Sequence, residues 1–230
     1  MSVLEQTSVD SQTVDPQVID PKTIDSKTIE TQPIERSGSL NPLQQFRSDS
    51  YALLGSLLSQ SPSQPLLQWL TQVELVDDQQ SAMREAWEVL QLAASRAQVE
   101  QVSNEYHSLF IGVGRGELLP FASWYMTGFL MEKPLVTLRQ DLQQLGFERD
   151  PDVREPEDHI AALCQVMAMI GSDDGVDRAV QQQFFERHLA SWWQRFFNDL
   201  QTSQTSHFYS AVGRFAELFF EQESLLLQTP

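Results

Sequence analysis

Residues 155–159 read Glu-Pro-Glu-Asp-His and lead into Ile160-Ala161-Ala162-Leu163-Cys164-Gln165-Val166-Met167-Ala168-Met169-Ile170, so three carboxylates and one imidazole stand at the start of an apolar helical stretch. Such a cluster can receive a cation, because carboxylate–guanidinium hydrogen bonds are short, directional and stronger than neutral ones. The same residues also make a well-capped helix start: a first-turn proline gives up no paired N–H, and acidic side chains are favoured beside the positive end of the helix dipole. Glu155 and His159, four apart, would then share one helix face.

Other chemistries find less support. The four histidines, at 107, 159, 188 and 207, are scattered, only one cysteine is present, and no His-Glu-x-x-His pair occurs, so no metal site or cofactor is expected. There is no Gly-x-Ser-x-Gly elbow, and Ser123 before Trp124-Tyr125 has no base to activate it, so catalysis is not expected. Gly112-Val113-Gly114-Arg115-Gly116 allows close approach of backbone amides to an anion, with Arg115 as the contact. It follows no strand and lacks the phosphate-binding lysine of a P-loop, and a helix-terminating loop explains it as well.

These residues must be positioned by helices. From Gly38 onward the chain has almost none of the alternation that marks strands, and the expected fold is all-α. Asn41-Pro42 reads as a cap and first-turn proline, followed by a broken apolar face of Leu43, Phe46, Leu54, Leu57 and Leu58 up to Ser61-Pro62. Met83, Trp87, Leu90, Ala94 and Ala97 form a stripe, and Val99, Val102, Tyr106, Leu109 and Phe110 continue helical spacing until the glycines. One helix is expected from Trp124 to about Leu145, bent or broken at Pro134 and ended by Gly146. Phe185, Leu189, Trp192, Phe196 and Leu200 fit one helical face, and Phe208, Val212, Phe215 and Phe219 another, both read as core.

Ahead of these helices, residues 8–32 repeat a unit of about five residues, such as Thr13-Val14-Asp15-Pro16-Gln17 and Thr23-Ile24-Asp25-Ser26-Lys27, without an aromatic residue. Too little apolar area is available there to offset ordering entropy, so residues 1–38 are expected to be a disordered acidic arm and residues 39–230 one helical domain. The arm lacks a basic start followed by an apolar stretch, and it has no twin-arginine pair; with no run of about 18 apolar residues elsewhere, a cytoplasmic protein is expected. Thirty-two acidic residues against fifteen basic ones give a formal charge of −17, and Lys133 is the only lysine beyond the arm. That field opposes nucleic acid and suits cationic ligands or peptides.

Tyr106-His107-Ser108-Leu109-Phe110, the glycine loop, Pro120-Phe121-Ala122-Ser123-Trp124-Tyr125 and Glu155-Pro156-Glu157-Asp158-His159 together, in their order and approximate spacing, resemble the TorD/DmsD/NarJ family of redox-enzyme maturation chaperones. Aromatic-x-x-Leu-Phe and Glu-Pro-x-Asp-His are the specific patterns, and Phe184 to Trp192 resembles the family's penultimate-helix segment; the likeness covers about residues 40–225.

The resemblance implies a TorD-like helical bundle without catalysis. Such a protein is a cytoplasmic chaperone that binds the twin-arginine signal peptide, and the apo-form, of an exported molybdenum-cofactor oxidoreductase of the formate dehydrogenase or trimethylamine oxide/dimethyl sulfoxide reductase type. It would assist cofactor insertion and proofread before export, as a monomer or a domain-swapped dimer. By that likeness Asp158 accepts a signal-peptide arginine with Glu155 or Glu157 assisting, His159 orients it, Tyr106, Leu109 and Phe110 line an apolar groove, and Ser123, Trp124 and Tyr125 flank the opening. An assembly scaffold for a folded oxidoreductase subunit, and weak guanine-nucleotide binding through Arg115, are the alternatives.

Overall fold

Asn41 opens the helical body as expected: its side-chain oxygen accepts the Leu43 N–H at 3.1 Å, and Pro42 occupies the first turn of α1, Pro42–Ser59. The computed structural model describes residues 17–19, 41–75, 82–149 and 153–228. After α1 come α2 (Gln64–Gln72), α3 (Ala82–Arg96) and α4 (Val99–Tyr106), which passes into a π-helical turn at His107–Ile111. They are followed by α5 (Ala122–Thr127), α6 (Lys133–Gln144), α7 (Ile160–Ser172), α8 (Arg178–His188), α9 (Trp193–Thr202) and α10 (Phe208–Gln228). The fold is all-α.

Two short strands accompany the helices. Within the arm, Gln17–Ile19 (β1) pair in parallel with Phe147–Arg149 (β2) just after α6. The rest of the expected disordered arm, residues 1–16 and 20–38, lies outside the described residues.

Helix α7 is the axis of the bundle. Eleven of its thirteen residues are buried, so it is hydrophobic nearly all round rather than amphipathic, which is the pattern of a helix enclosed by others. It lies against α1, and the two backbones come close at Gly55: a Cβ there would stand 2.9 Å from Gln165 Cγ and 3.3 Å from the Ala161 carbonyl oxygen. Cys164, fully buried inside α7, is a small core residue whose thiol is pushed up by burial.

The helix expected over 124–145, bent or broken at Pro134, is two helices that part earlier, at Gly128. Gly128, at φ 83°, takes the left-handed conformation that closes α5, its N–H donating to the Trp124 carbonyl at 2.8 Å, and Pro134 then starts α6 instead of bending it. The face from Phe185 to Leu200 is likewise divided between α8 and α9. All five residues are buried as expected, but the Trp192 indole N–H turns back to the His188 carbonyl at 2.7 Å and satisfies the end of α8. Phe184 to Trp192 is therefore the end of α8 and a turn, and α9 is the penultimate helix. The spacing of apolar residues does not announce α2, which is short and capped by Ser63.

Two buried carboxylates tie α10 to earlier helices. Glu105 on α4 accepts the N–H groups of His207, Phe208 and Tyr209 at 2.8, 3.1 and 2.8 Å and so caps α10. Glu223 on α10 receives Arg47 of α1 through two bonds of 2.6 and 2.9 Å. Removing one partner of a buried pair leaves an uncompensated charge. Glu223→Ala is thus expected to lower the unfolding free energy by about 3–5 kcal/mol in urea titrations, whereas Arg47→Met with Glu223→Leu should come close to wild type. Equal losses for the single and double variants would show that the ion pair is not what the site requires.

Candidate peptide-binding site

The acidic motif is placed differently from the expectation. Helix α7 starts at Ile160 with His159 as its cap, so Glu155 to Asp158 form a turn ahead of the helix, and Glu155 and His159 share no helix face. The reason lies in the neighbouring segment. His159 has extended backbone and bridges Phe121 in antiparallel fashion, with Ile160 N–H donating to the Pro120 carbonyl at 2.8 Å and Ala122 N–H to the Asp158 carbonyl at 2.9 Å.

His159 is a structural group. Its Nδ1 accepts the Ala161 N–H at 3.1 Å, and its ring meets Phe121 edge-on at 5.1 Å. Burial lowers its pKa to about 4, so it is neutral and fit to accept that bond.

Asp158 and Glu157 point to different surroundings. Asp158 is 1% exposed; its Oδ2 accepts the Ser123 N–H at 2.8 Å, which caps α5, while its buried Oδ1 has no hydrogen-bond partner. It lines a cavity of about 370 Å³ with Met126, Thr127, Lys133, Thr137 and His188. Glu157 instead binds guanidinium groups of the chain itself, Arg139 at 2.9 Å and Arg149 at 3.7 Å. Glu155 is half-buried, and its charge, after burial itself, holds the Tyr106 phenol above its ordinary pKa.

The aromatic motif is largely packed into the core. Leu109 is fully buried and Phe110 nearly so, packed on Tyr106 and Tyr209 at ring distances of 5.1 and 5.4 Å, so these two side chains are core in this conformation. Tyr106 is partly buried and its hydroxyl donates to the Ser59 carbonyl at 2.8 Å. Ser123 is fully buried, and its Oγ accepts the Met131 N–H at 3.2 Å, fixing the loop after α5. Tyr125 faces inward, stacked on Trp192 with its hydroxyl on Asp199 at 2.9 Å. Trp124 is partly exposed and carries the Arg115 guanidinium 4.8 Å above its ring. The glycine loop ends the π-helical turn, Gly112 N–H donating to the His107 carbonyl at 2.7 Å.

Sequence reasoning missed the most exposed apolar surface of the region. Phe129 and Met131 are each 68% exposed, with Met126 and Leu130 over 40% exposed beside them; this apolar ledge starts at Met126, which lines the Asp158 cavity, and ends at Met131, which is tied to Ser123. Reading a helix over 124–145 interrupted only at Pro134 hid it; Gly128 before Phe-Leu-Met was the available signal. His188, Asp141 and Arg187 were missed as well. Asp141 accepts from Arg187 at 3.0 Å and sits 2.7 Å from His188 Nε2, and burial lowers the His188 pKa against the opposing pull of Asp141. Among the described residues no three His, Cys, Asp or Glu side chains converge as a metal site.

A buried carboxylate with an unpartnered oxygen, close to exposed apolar side chains, has the chemistry to accept a guanidinium. Residues 76–198, more than half of the 230, match the family described as the nitrate reductase delta subunit. The chain belongs to that family. It is 28% identical to the chaperone protein TorD of Vibrio cholerae over 161 residues, covering 64% of this chain and 73% of the relative. The TorD protein of Shewanella pealeana is 25% identical, with 83% and 93% covered, and the Tat proofreading chaperone DmsD of Salmonella typhimurium is 28% identical, with 77% and 89% covered. A redox enzyme maturation protein from Archaeoglobus fulgidus shares the fold at a TM-score of 0.55 and 17% identity, over 81% of this chain and 99% of that one. The relatives are named as chaperones and not as enzymes, and this family member shares that role. Among the described residues no helix is long and apolar enough to cross a membrane.

The neutral, buried His159 has a measurable consequence. Its folded pKa of about 4 lies below the unfolded value of 6.5, so the unfolded chain takes up the proton first and the contribution to stability, whole above pH 6.5, is lost as pH falls towards 4. Between pH 7 and 4.5 this one group should remove about 2–3 kcal/mol. His159→Asn, which keeps a capping acceptor but does not titrate, should show a correspondingly smaller acid loss in denaturant titrations; an unchanged pH slope would refute the assignment.

Proposed function

We propose that this chaperone binds the twin-arginine signal peptide, and with it the apo-form, of an exported molybdenum-cofactor oxidoreductase of the formate dehydrogenase or trimethylamine oxide/dimethyl sulfoxide reductase type. It holds that client in the cytoplasm until its cofactor is inserted. The observation that carries the reading is Asp158: a buried carboxylate with one oxygen engaged at the α5 start and the other unpartnered, in a cavity lined by exposed Met126, while the exposed loop of Phe129, Leu130 and Met131 is tied to the same Ser123 that Asp158 holds. A guanidinium on that oxygen would form a charge-assisted bond in a desolvated setting, and the apolar part of the peptide would cover the ledge.

The roles divide accordingly. Asp158 receives an arginine and Glu157 and Glu155 supply further negative charge at the turn. Ser123 and His159 position Asp158, Trp124 flanks the opening, and Tyr106, Leu109, Phe110 and Tyr125 support it from within. Arg115, lying on Trp124, is engaged in that contact.

Calorimetric titration of the purified chain with a panel of twin-arginine signal peptides from molybdoenzymes, each beside its twin-lysine counterpart, tests this. Asp158→Asn keeps an acceptor for Ser123 N–H while removing the charge, and it should weaken the bound peptide roughly tenfold or more without loss of helicity. Binding by wild type that is indifferent to both Asp158→Asn and the arginine-to-lysine exchange would defeat the reading. A chain lacking residues 1–38 gives up the β1–β2 pairing but none of the helices, and should keep fold and peptide affinity; unfolding of the truncated protein would make the arm part of the domain.

A further inference from the structure

Glu157 and Asp158 are neighbours in sequence but answer to different cations. The Glu157 carboxylate, only 10% exposed, is gripped by Arg139 of α6: Nε lies 3.1 and 3.0 Å from its two oxygens and Nη2 2.9 Å from one of them. Arg149, at the end of β2, stands farther off at 3.7 Å. The two arginines are not equivalent. Arg149 also donates to the carbonyls of Val153 and Arg154 at 2.8 and 3.2 Å and so holds the turn itself. Arg139 directs its hydrogen bonds, among the described residues, to Glu157 alone, and its side chain is 48% exposed. Arg139 can therefore leave without breaking any backbone contact, whereas Arg149 cannot.

A carboxylate so little exposed is costly to leave without a cation. Replacing one guanidinium by another preserves both the charge balance and the fork of hydrogen bonds, so the exchange meets no uncompensated intermediate once the incoming group is at hand. Glu157 directly precedes Asp158 and Arg139 directly follows Leu138, so the ion pair stands one residue along the chain from two residues that line the Asp158 cavity. We infer that Glu157 is a guanidinium-exchange site, occupied at rest by Arg139 and taken over by an arginine of the bound peptide. This rests on the peptide-binding reading above and adds an internal competitor to it: Arg139 lowers affinity for the client and, by returning, assists release.

The test uses the full chain and the twin-arginine peptide that binds wild type best, with its twin-lysine counterpart. Arg139→Gln should bind the arginine peptide about three- to tenfold more tightly, as expected for loss of a competing half-exposed pair. Arg139→Lys, a weaker competitor that keeps the positive charge at this position, should lie between the two and serves if the glutamine variant does not fold. Adding Glu157→Gln to Arg139→Gln should abolish the gain. Wild-type binding with Arg139→Gln and Arg139→Lys equal to it or weaker, at native circular dichroism, would make the pair merely structural and leave the peptide reading standing. No binding by wild type and by all variants across the panel would overturn that reading, and the exchange with it.

Discussion

The N-terminus of α7 is the constraint from which the site follows. A helix enclosed nearly all round cannot leave its first N–H groups to water, and each must find an acceptor within the protein. Ile160 takes the Pro120 carbonyl and Ala161 the His159 ring. Satisfying them draws residues 120–123 across the helix start, keeps His159 neutral, and turns the Asp158 carboxylate to the N-terminus of α5. The loop carrying Phe129 and Met131 is then fixed at the other end of that short helix, through Ser123 Oγ and Met131 N–H. One set of backbone requirements thus places the carboxylate and the apolar ledge side by side.

The electrostatics of the site are more evenly balanced than a charge of −17 suggests. Lys133 and Arg187 line the cavity that holds Asp158, and Arg139 and Arg149 stand on Glu157. On the proposed reading, a cationic peptide would be drawn by the field of the whole chain but would meet positive groups at the Asp158 cavity. Such an arrangement favours discrimination over raw affinity, since an arginine must better the groups already present while a lysine offers no fork. Modest affinity suits a chaperone that must give up its client.

The aromatic mass of α8, α9 and α10 serves the site indirectly. Phe185, Trp193, Phe197 and Phe220 pack with ring distances of 5.1–6.5 Å, and Tyr125 stacks on Trp192 at the edge of this cluster. Residues so densely packed have little freedom to shift. The short helix α5 gains from Tyr125 a rigidity that six residues would not have alone.

Helix class, caps and core stripes were legible because they depend on local order: Asn41-Pro42, the Met83–Ala94 stripe and the α10 face are set by spacing along the chain, and the family motifs carried the function. What lies at helix ends was not. Gly128 divides one apparent helix and Trp192 another, and neither break interrupts the apolar spacing that reveals helices. The acidic motif showed the limit most clearly. Its composition announced a site, yet whether each carboxylate would stand in a first helical turn, on a buried cavity or on an arginine eighteen residues away depended on partners brought in from Pro120, Ser123 and Arg139. Which groups could bind a guanidinium is written in the residue types; that Asp158 faces inward with an oxygen to spare and that Glu157 is already taken follows from packing, because hydrogen-bond saturation of buried groups is settled between segments and not along one.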